Sequence, residues 1–160
     1  RDGAVGVSIP LRPDGSLDEG CMKMLKEVGE WMRINGQGIY GSSAWSVLGE
    51  GKDGKLNVLP GGFIGANQAN HSFYTTDFRF TVGKDGAIYA WCMTVPKAGD
   101  KLKIVSLGSD AVTGQKQVTS VELLGEKNKI EWKQEADGLN IVYPDSAHLK
   151  TAVGFRIVCK

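Results

Sequence analysis

At 160 residues the chain has room for one domain, or for one domain plus a fragment of a second. Hydrophobic residues make up 41% and charged residues 23%, an ordinary balance for a globular protein, and a net charge of +1 excludes the field needed to attract nucleic acid or an anionic membrane. No apolar run approaches the roughly 18 residues of a membrane span, and the N-terminus lacks the charged-then-apolar layout of a signal peptide, so any targeting sequence is expected to be absent or removed.

In chain order, Ala4–Ile9 is a short apolar run ending at Pro10, and it predicts a buried strand. The RPDG stretch at 12–15 is a turn with proline in a favoured position. Ser16 then offers an N-cap, and Glu19 three residues later completes a capping box. Apolar residues at Cys21, Met24, Leu25, Val28, Trp31 and Met32 follow the i, i+3, i+4, i+7 spacing of one buried helix face. Lys23, Lys26, Glu27, Glu30 and Arg33 fill the other face. Asn35-Gly36 supplies the stop, with Gly36 suited to the left-handed residue that ends many helices. Each large stripe residue gains about 1.5–3 kcal/mol on burial, so this helix needs a partner surface.

Beyond Gly36 the pattern changes class. Residues 37–70 are loop-like, with short β candidates at Ser46–Gly49 and Leu56–Leu59. Phe78, Phe80 and Val82 then alternate with Arg79 and Thr81, and Gly83–Gly86 makes a hairpin turn into Ala87–Val95. That second strand is apolar on both faces, as a central strand is. Further strands are predicted at Leu102–Leu107, Val118–Leu124, Ile130–Glu135, Leu139–Val142 and Ala152–Cys159. Seven or eight short strands separated by turn signals, with 22 glycines in the chain, argue for an antiparallel β-sandwich.

Chemistry is thinly represented. Asp14, Asp53, Asp85 and Asp137 each precede a glycine and read as turn residues, while Asp18 and Glu19 serve the first helical turn. Glu122, Glu131 and Glu135 alternate with apolar neighbours and read as solvated strand residues. His71 and His148 lie in no metal-ligand spacing with cysteine or carboxylate, so no metal site is expected and no cofactor is implied. Cys21, Cys92 and Cys159 read as small buried thiols; a Cys92–Cys159 disulfide requires that their strands pair or face each other. Lys127, Lys129 and Lys133 are interleaved with Glu126 and Glu131, which suits a wet surface of mixed charge. Trp91 and Trp132 read as core. Tyr40 and Trp45 are the candidates for substrate binding, because flat side chains stack on sugar rings; the plainer reading has them plugging a junction between two domains.

The segment DGSLDEGCMKMLKEVGEWMRINGQGIYGSSAW resembles the end of the catalytic barrel in the α-L-fucosidase family of retaining glycoside hydrolases. Members show a turn like RPDG, a helix with L-K-E-x-G-E-W and x-N-G, then an I-Y-G-[TS]-x-x-W loop. The resemblance continues through FRF at 78–80 and Ile88–Ala90, and again at SVELLGEKNKIEWKQEADGLNIVYP, residues 120–144; residues 46–77 match poorly. Where relatives often carry Gly-Asn-Leu-Leu-Leu-Asn, this chain has Gly3-Ala4-Val5-Gly6-Val7-Ser8.

The resemblance implies a mainly β fold: an antiparallel β-sandwich preceded by one strand and one α-helix belonging to the end of a (β/α)₈ barrel. Residues 1–36 would be the last barrel strand and helix, 37–70 a connecting region and 71–160 the C-terminal β-sandwich. The family removes terminal α-L-fucose from glycans by double displacement, its two carboxyl groups standing about 5–5.5 Å apart. The nucleophile Asp and the acid/base Glu are expected upstream of Arg1, so this chain carries no catalytic residue and is expected to be inactive by itself. Its implied partners are the missing catalytic barrel and, through the intact enzyme, a fucosylated glycan. By the same resemblance the enzyme is periplasmic, extracellular or lysosomal. Two other readings are a carbohydrate-binding module of the β-sandwich type and a purely structural domain that buttresses the barrel.

Overall fold

The computed structural model describes residues 6–55, 72–112, 117–145 and 151–160. The expected strand at Leu56–Leu59 and both histidines lie outside them. One α-helix, α1 (Glu19–Asn35), precedes the strands among the described residues. They are β1 (Ser43–Glu50), β2 (Phe78–Val82), β3 (Ile88–Cys92), β4 (Lys101–Ile104), β5 (Val118–Leu123), β6 (Trp132–Glu135), β7 (Gly138–Val142) and β8 (Val153–Cys159). They form a five-stranded sheet in the order β1-β2-β3-β8-β5 and a three-stranded sheet in the order β4-β7-β6, every pairing antiparallel.

The helix starts two residues later than its capping box suggests. Ser16 is occupied in the preceding turn, where its backbone N–H and hydroxyl donate to Asp14 Oδ1 at 2.9 and 2.7 Å. Asp18 caps instead: its backbone is extended, and its Oδ1 accepts the Cys21 N–H at 2.8 Å. A carboxylate also suits the positive end of the helix dipole better than a hydroxyl. At the other end Gly36 is right-handed, at φ −57°, and the chain runs straight into a 3₁₀ turn over Gly36–Gly38. Gly36 is demanded by space instead, because a Cβ there would lie 2.8 Å from a ring carbon of Tyr40. The left-handed glycine of this loop is Gly41, at φ +66°.

The two sheets share one core. Phe78, Phe80, Ile88, Ala90, Phe155 and Ile157 face it from the five-stranded sheet, and Leu102, Ile104, Leu139 and Ile141 from the other. The period-2 alternation read at Phe78–Val82 is what sends the phenylalanines inward and leaves Arg79 and Thr81 on the outer face. β3 lies at the centre of its sheet and is buried throughout, as its two-sided apolar sequence requires. β1 belongs to the same sheet, so the sandwich draws a strand from the segment read as a connector. Residues 6–9, the described part of the predicted first strand, pair with no strand among the described residues, and Val7 is exposed.

β3 and β8 do pair, but register forbids the Cys92–Cys159 bridge. Cys92 sits opposite Val153 and Cys159 opposite Val118, at the far end of β8. All three cysteines are thiols.

Candidate functional site

Two surfaces stand out, the helix face and a groove beside β5. Among the described residues, the helix is attached to the outer face of the five-stranded sheet through its C-terminal end. Trp31 packs on Trp91, with ring centroids 5.5 Å apart, and its indole N–H donates to the Ala152 carbonyl at 2.7 Å. Asn35 is buried, and its side-chain amide donates to the Trp31 carbonyl at 3.0 Å. Gly38 lies so close over Tyr89 and Trp91 that a Cβ would meet their rings at 2.4–2.6 Å. The Gly38 carbonyl accepts the Thr81 hydroxyl at 2.7 Å, and that hydroxyl accepts the Trp91 indole N–H at 3.0 Å. Trp91 therefore belongs to a second apolar cluster with Ala87, Tyr89 and Leu124, outside the core between the sheets.

Much of the rest of the stripe is open to solvent, although Cys21 and Met32 are half-buried. Met24 is 42% exposed, Leu25 39% and Val28 53%. Half-burial at Trp31 and exposure at Val28 on one helix mean that the sandwich covers part of the stripe and leaves Met24, Leu25 and Val28 largely to water.

Tyr40 and Trp45 part company. Tyr40 is 69% exposed, its ring leaning on the backbone of Gly36. Trp45 turns inward on β1, edge-on to Phe80 with centroids 5.0 Å apart, and packs against the main core. Trp132 is half-buried on the flank of that core, and it lines a groove of about 600 Å³ formed by β5, the 125–130 loop and Gln37. Sequence alternation alone read Trp132 as interior; its place at the start of an edge strand leaves part of the ring accessible.

The carboxylates have structural partners. Asp85 accepts from Arg156 at 2.7 Å, and this holds its carboxyl below the usual range. Asp137 is lowered in the same direction by Lys103, and Glu135 by Lys133. Glu50, missed in the sequence, is fully buried: its two oxygens accept the backbone N–H groups of Val105 and Ser106 at 2.6 and 2.8 Å, and the Ser106 hydroxyl as well. It caps the short turn after β4. A carboxylate one residue before a glycine at a strand end carried no signal of that distant contact. Among the described residues no three histidine, cysteine or carboxylate side chains could hold a metal, and no helix is long and apolar enough to cross a membrane.

Comparison with known proteins places this architecture. The family model for the alpha-L-fucosidase C-terminal domain matches residues 70–158, more than half of the chain. A tissue alpha-L-fucosidase of Rattus norvegicus is 28% identical over 139 residues, which are 86% of this chain and 24% of that protein. The chain thus spans about a quarter of the length of that relative. The Thermotoga maritima alpha-fucosidase in complex with fucose superposes with a TM-score of 0.63 at 22% identity, over 94% of this chain and 29% of that one. Alpha-L-fucosidase isoenzyme 1 of Paenibacillus thiaminolyticus gives 0.62 at 18% identity, over 95% and 30%. With the matched residues, the two antiparallel sheets and the preceding helix in agreement, the chain belongs to the alpha-L-fucosidase C-terminal domain family.

Proposed function

We propose that this chain is the C-terminal portion of an exo-acting α-L-fucosidase that hydrolyses terminal α-L-fucose from glycans with retention, and that it is accessory to catalysis. The carrying observation is the solvent exposure of Met24, Leu25 and Val28 on a helix already anchored at Trp31. Each such side chain gains about 1.5–3 kcal/mol when covered, which favours a docked neighbour. The neighbour in this reading is the (β/α)₈ barrel, with residues 1–36 completing its last strand and helix. Segment 6–9, which pairs with none of the described strands, suits a strand whose ladder lies in that barrel.

Both catalytic carboxyl groups then come from barrel strands outside this chain. A retaining pair must face each other across the scissile bond at about 5–5.5 Å, one as nucleophile and one as acid and then base. Asp18, Glu50 and Asp85 serve a helix cap, a turn and an ion pair. The sandwich's contribution is to hold α1, and with it one wall of the barrel, in place.

The test uses an aryl α-L-fucoside. The polypeptide that joins this chain to its barrel is expected to release fucose, first as the α anomer by proton NMR, while the chain alone releases none. No release by the joined polypeptide would defeat the enzyme assignment, and first formation of the β anomer would defeat retention.

A further inference from the structure

We propose that the groove between β5 and the 125–130 loop is a binding site for a neutral oligosaccharide. The groove of about 600 Å³ falls within the roughly 300–1,000 Å³ typical of small-molecule sites. It is lined by β5, the last strand in the order of the five-stranded sheet, which among the described strands pairs with β8. Residues 119–124 all line it, so its wall carries backbone groups as well as side chains.

The lining chemistry selects the ligand. Two carboxylates, Glu122 and Glu126, line the groove together with two ammonium groups, Lys127 and Lys129, which leaves no net charge to attract a nucleic acid or a phosphorylated ligand. Glu122 is already engaged by Arg156, and Glu126 accepts the backbone N–H groups of Lys127 and Asn128 at 2.8 and 3.2 Å. Donors remain unused. The side-chain amides of Gln37 and Asn128 and the indole N–H of Trp132 donate no hydrogen bond to any described residue. Trp132 is held from behind by the core and reaches the groove with the rest of its ring.

A half-exposed indole with a ring of neutral donors suits a pyranose. Such a sugar offers a patch of C–H groups to a flat aromatic face and hydroxyls at its rim to amides and backbone groups.

Binding is read apart from hydrolysis, so its outcome and that of the hydrolase assignment are separable. The chain is titrated with lactose and with 2′-fucosyllactose while side-chain and backbone N–H signals are followed by NMR. Shifts at Gln37, Asn128 and the Trp132 indole are expected with at least one sugar, and a preference for the second would mark recognition of the fucosyl unit. Asn128→Ala should weaken binding roughly five- to tenfold, and Trp132→Phe should weaken it further. Asn128 stands in an exposed loop, so that variant tests the site even if Trp132→Phe disturbs the core. No shifts at tens of millimolar of either sugar, shifts confined to other surfaces such as Tyr40, or unchanged affinity in Asn128→Ala would each overturn the proposal.

Discussion

Trp31 on α1 and Trp91 on β3 meet with their ring centroids 5.5 Å apart and their planes inclined at 49°. Through this contact, and the hydrogen bond from the Trp31 indole to Ala152, the helix is fixed to the sheet. Trp31→Ala removes the aromatic contact, the hydrogen bond and half-buried apolar area together. We expect a loss of about 2–4 kcal/mol in urea unfolding, with loss of near-ultraviolet dichroism from the tryptophan pair. An unchanged midpoint would mean that the helix is held by other contacts.

The exposed end of the stripe should behave oppositely. Leu25→Gln and Val28→Gln touch side chains that water already reaches, so in this chain they should shift stability by no more than about 0.5 kcal/mol each. Joined to the barrel, the same substitutions should cost about 1.5–3 kcal/mol each. Equal effects in both settings would remove the docking surface from the account.

Glu50 tests the seam between the sheets. Its buried carboxylate accepts two backbone N–H groups and a hydroxyl on the turn after β4. Glu50→Ala strands those donors, and we expect a cost of about 3 kcal/mol or more. Amide hydrogen exchange at Val105 and Ser106 should speed up selectively. Protection that stays the same there would show that the turn holds without its cap.

Two glycines should respond with opposite signs. A Cβ at Gly29 meets nothing within 4 Å, so Gly29→Ala should stabilise the helix by about 0.5–1 kcal/mol. A Cβ at Gly38 would strike the rings of Tyr89 and Trp91, and Gly38→Ala should cost about 1–3 kcal/mol. Thermal midpoints of the two variants should bracket that of the parent.

Alkaline pH should weaken the fold through Cys92. Burial pushes its thiol up to about 11 from the ordinary 9.0, so the folded chain holds this proton after the unfolded chain has released it. The stabilisation is complete below pH 9 and is lost as pH climbs toward 11. Tyr143, also raised by burial, adds a loss of the same sign. Urea midpoints should therefore fall across this window, and Cys92→Ala should flatten the fall. An equally steep fall in that variant would exclude the thiol as its source.

The strands were legible because their information is local. Alternation marked β2, two-sided apolarity marked β3 as central, and glycine-rich turns bounded most of the rest. The helix stripe was equally plain, since one apolar face at helical spacing requires only adjacent residues. The resemblance at residues 14–45 and 120–144 likewise rested on contiguous letters.

What the letters could not supply was any relationship set by two distant segments. Asp18 displaced Ser16 as the cap because Ser16 was already bonded to Asp14. Register along β8, not pairing itself, separated Cys92 from Cys159. Trp45 went to the core while Tyr40 stayed in water, although both stand in one loop-to-strand segment. Glu50 found its donors more than fifty residues away, across the sandwich. Periodicity and turn chemistry act within a few residues and therefore survive in the sequence. Burial, register and the partner of a buried charge depend on which surfaces meet, and only the assembled sheets decide that.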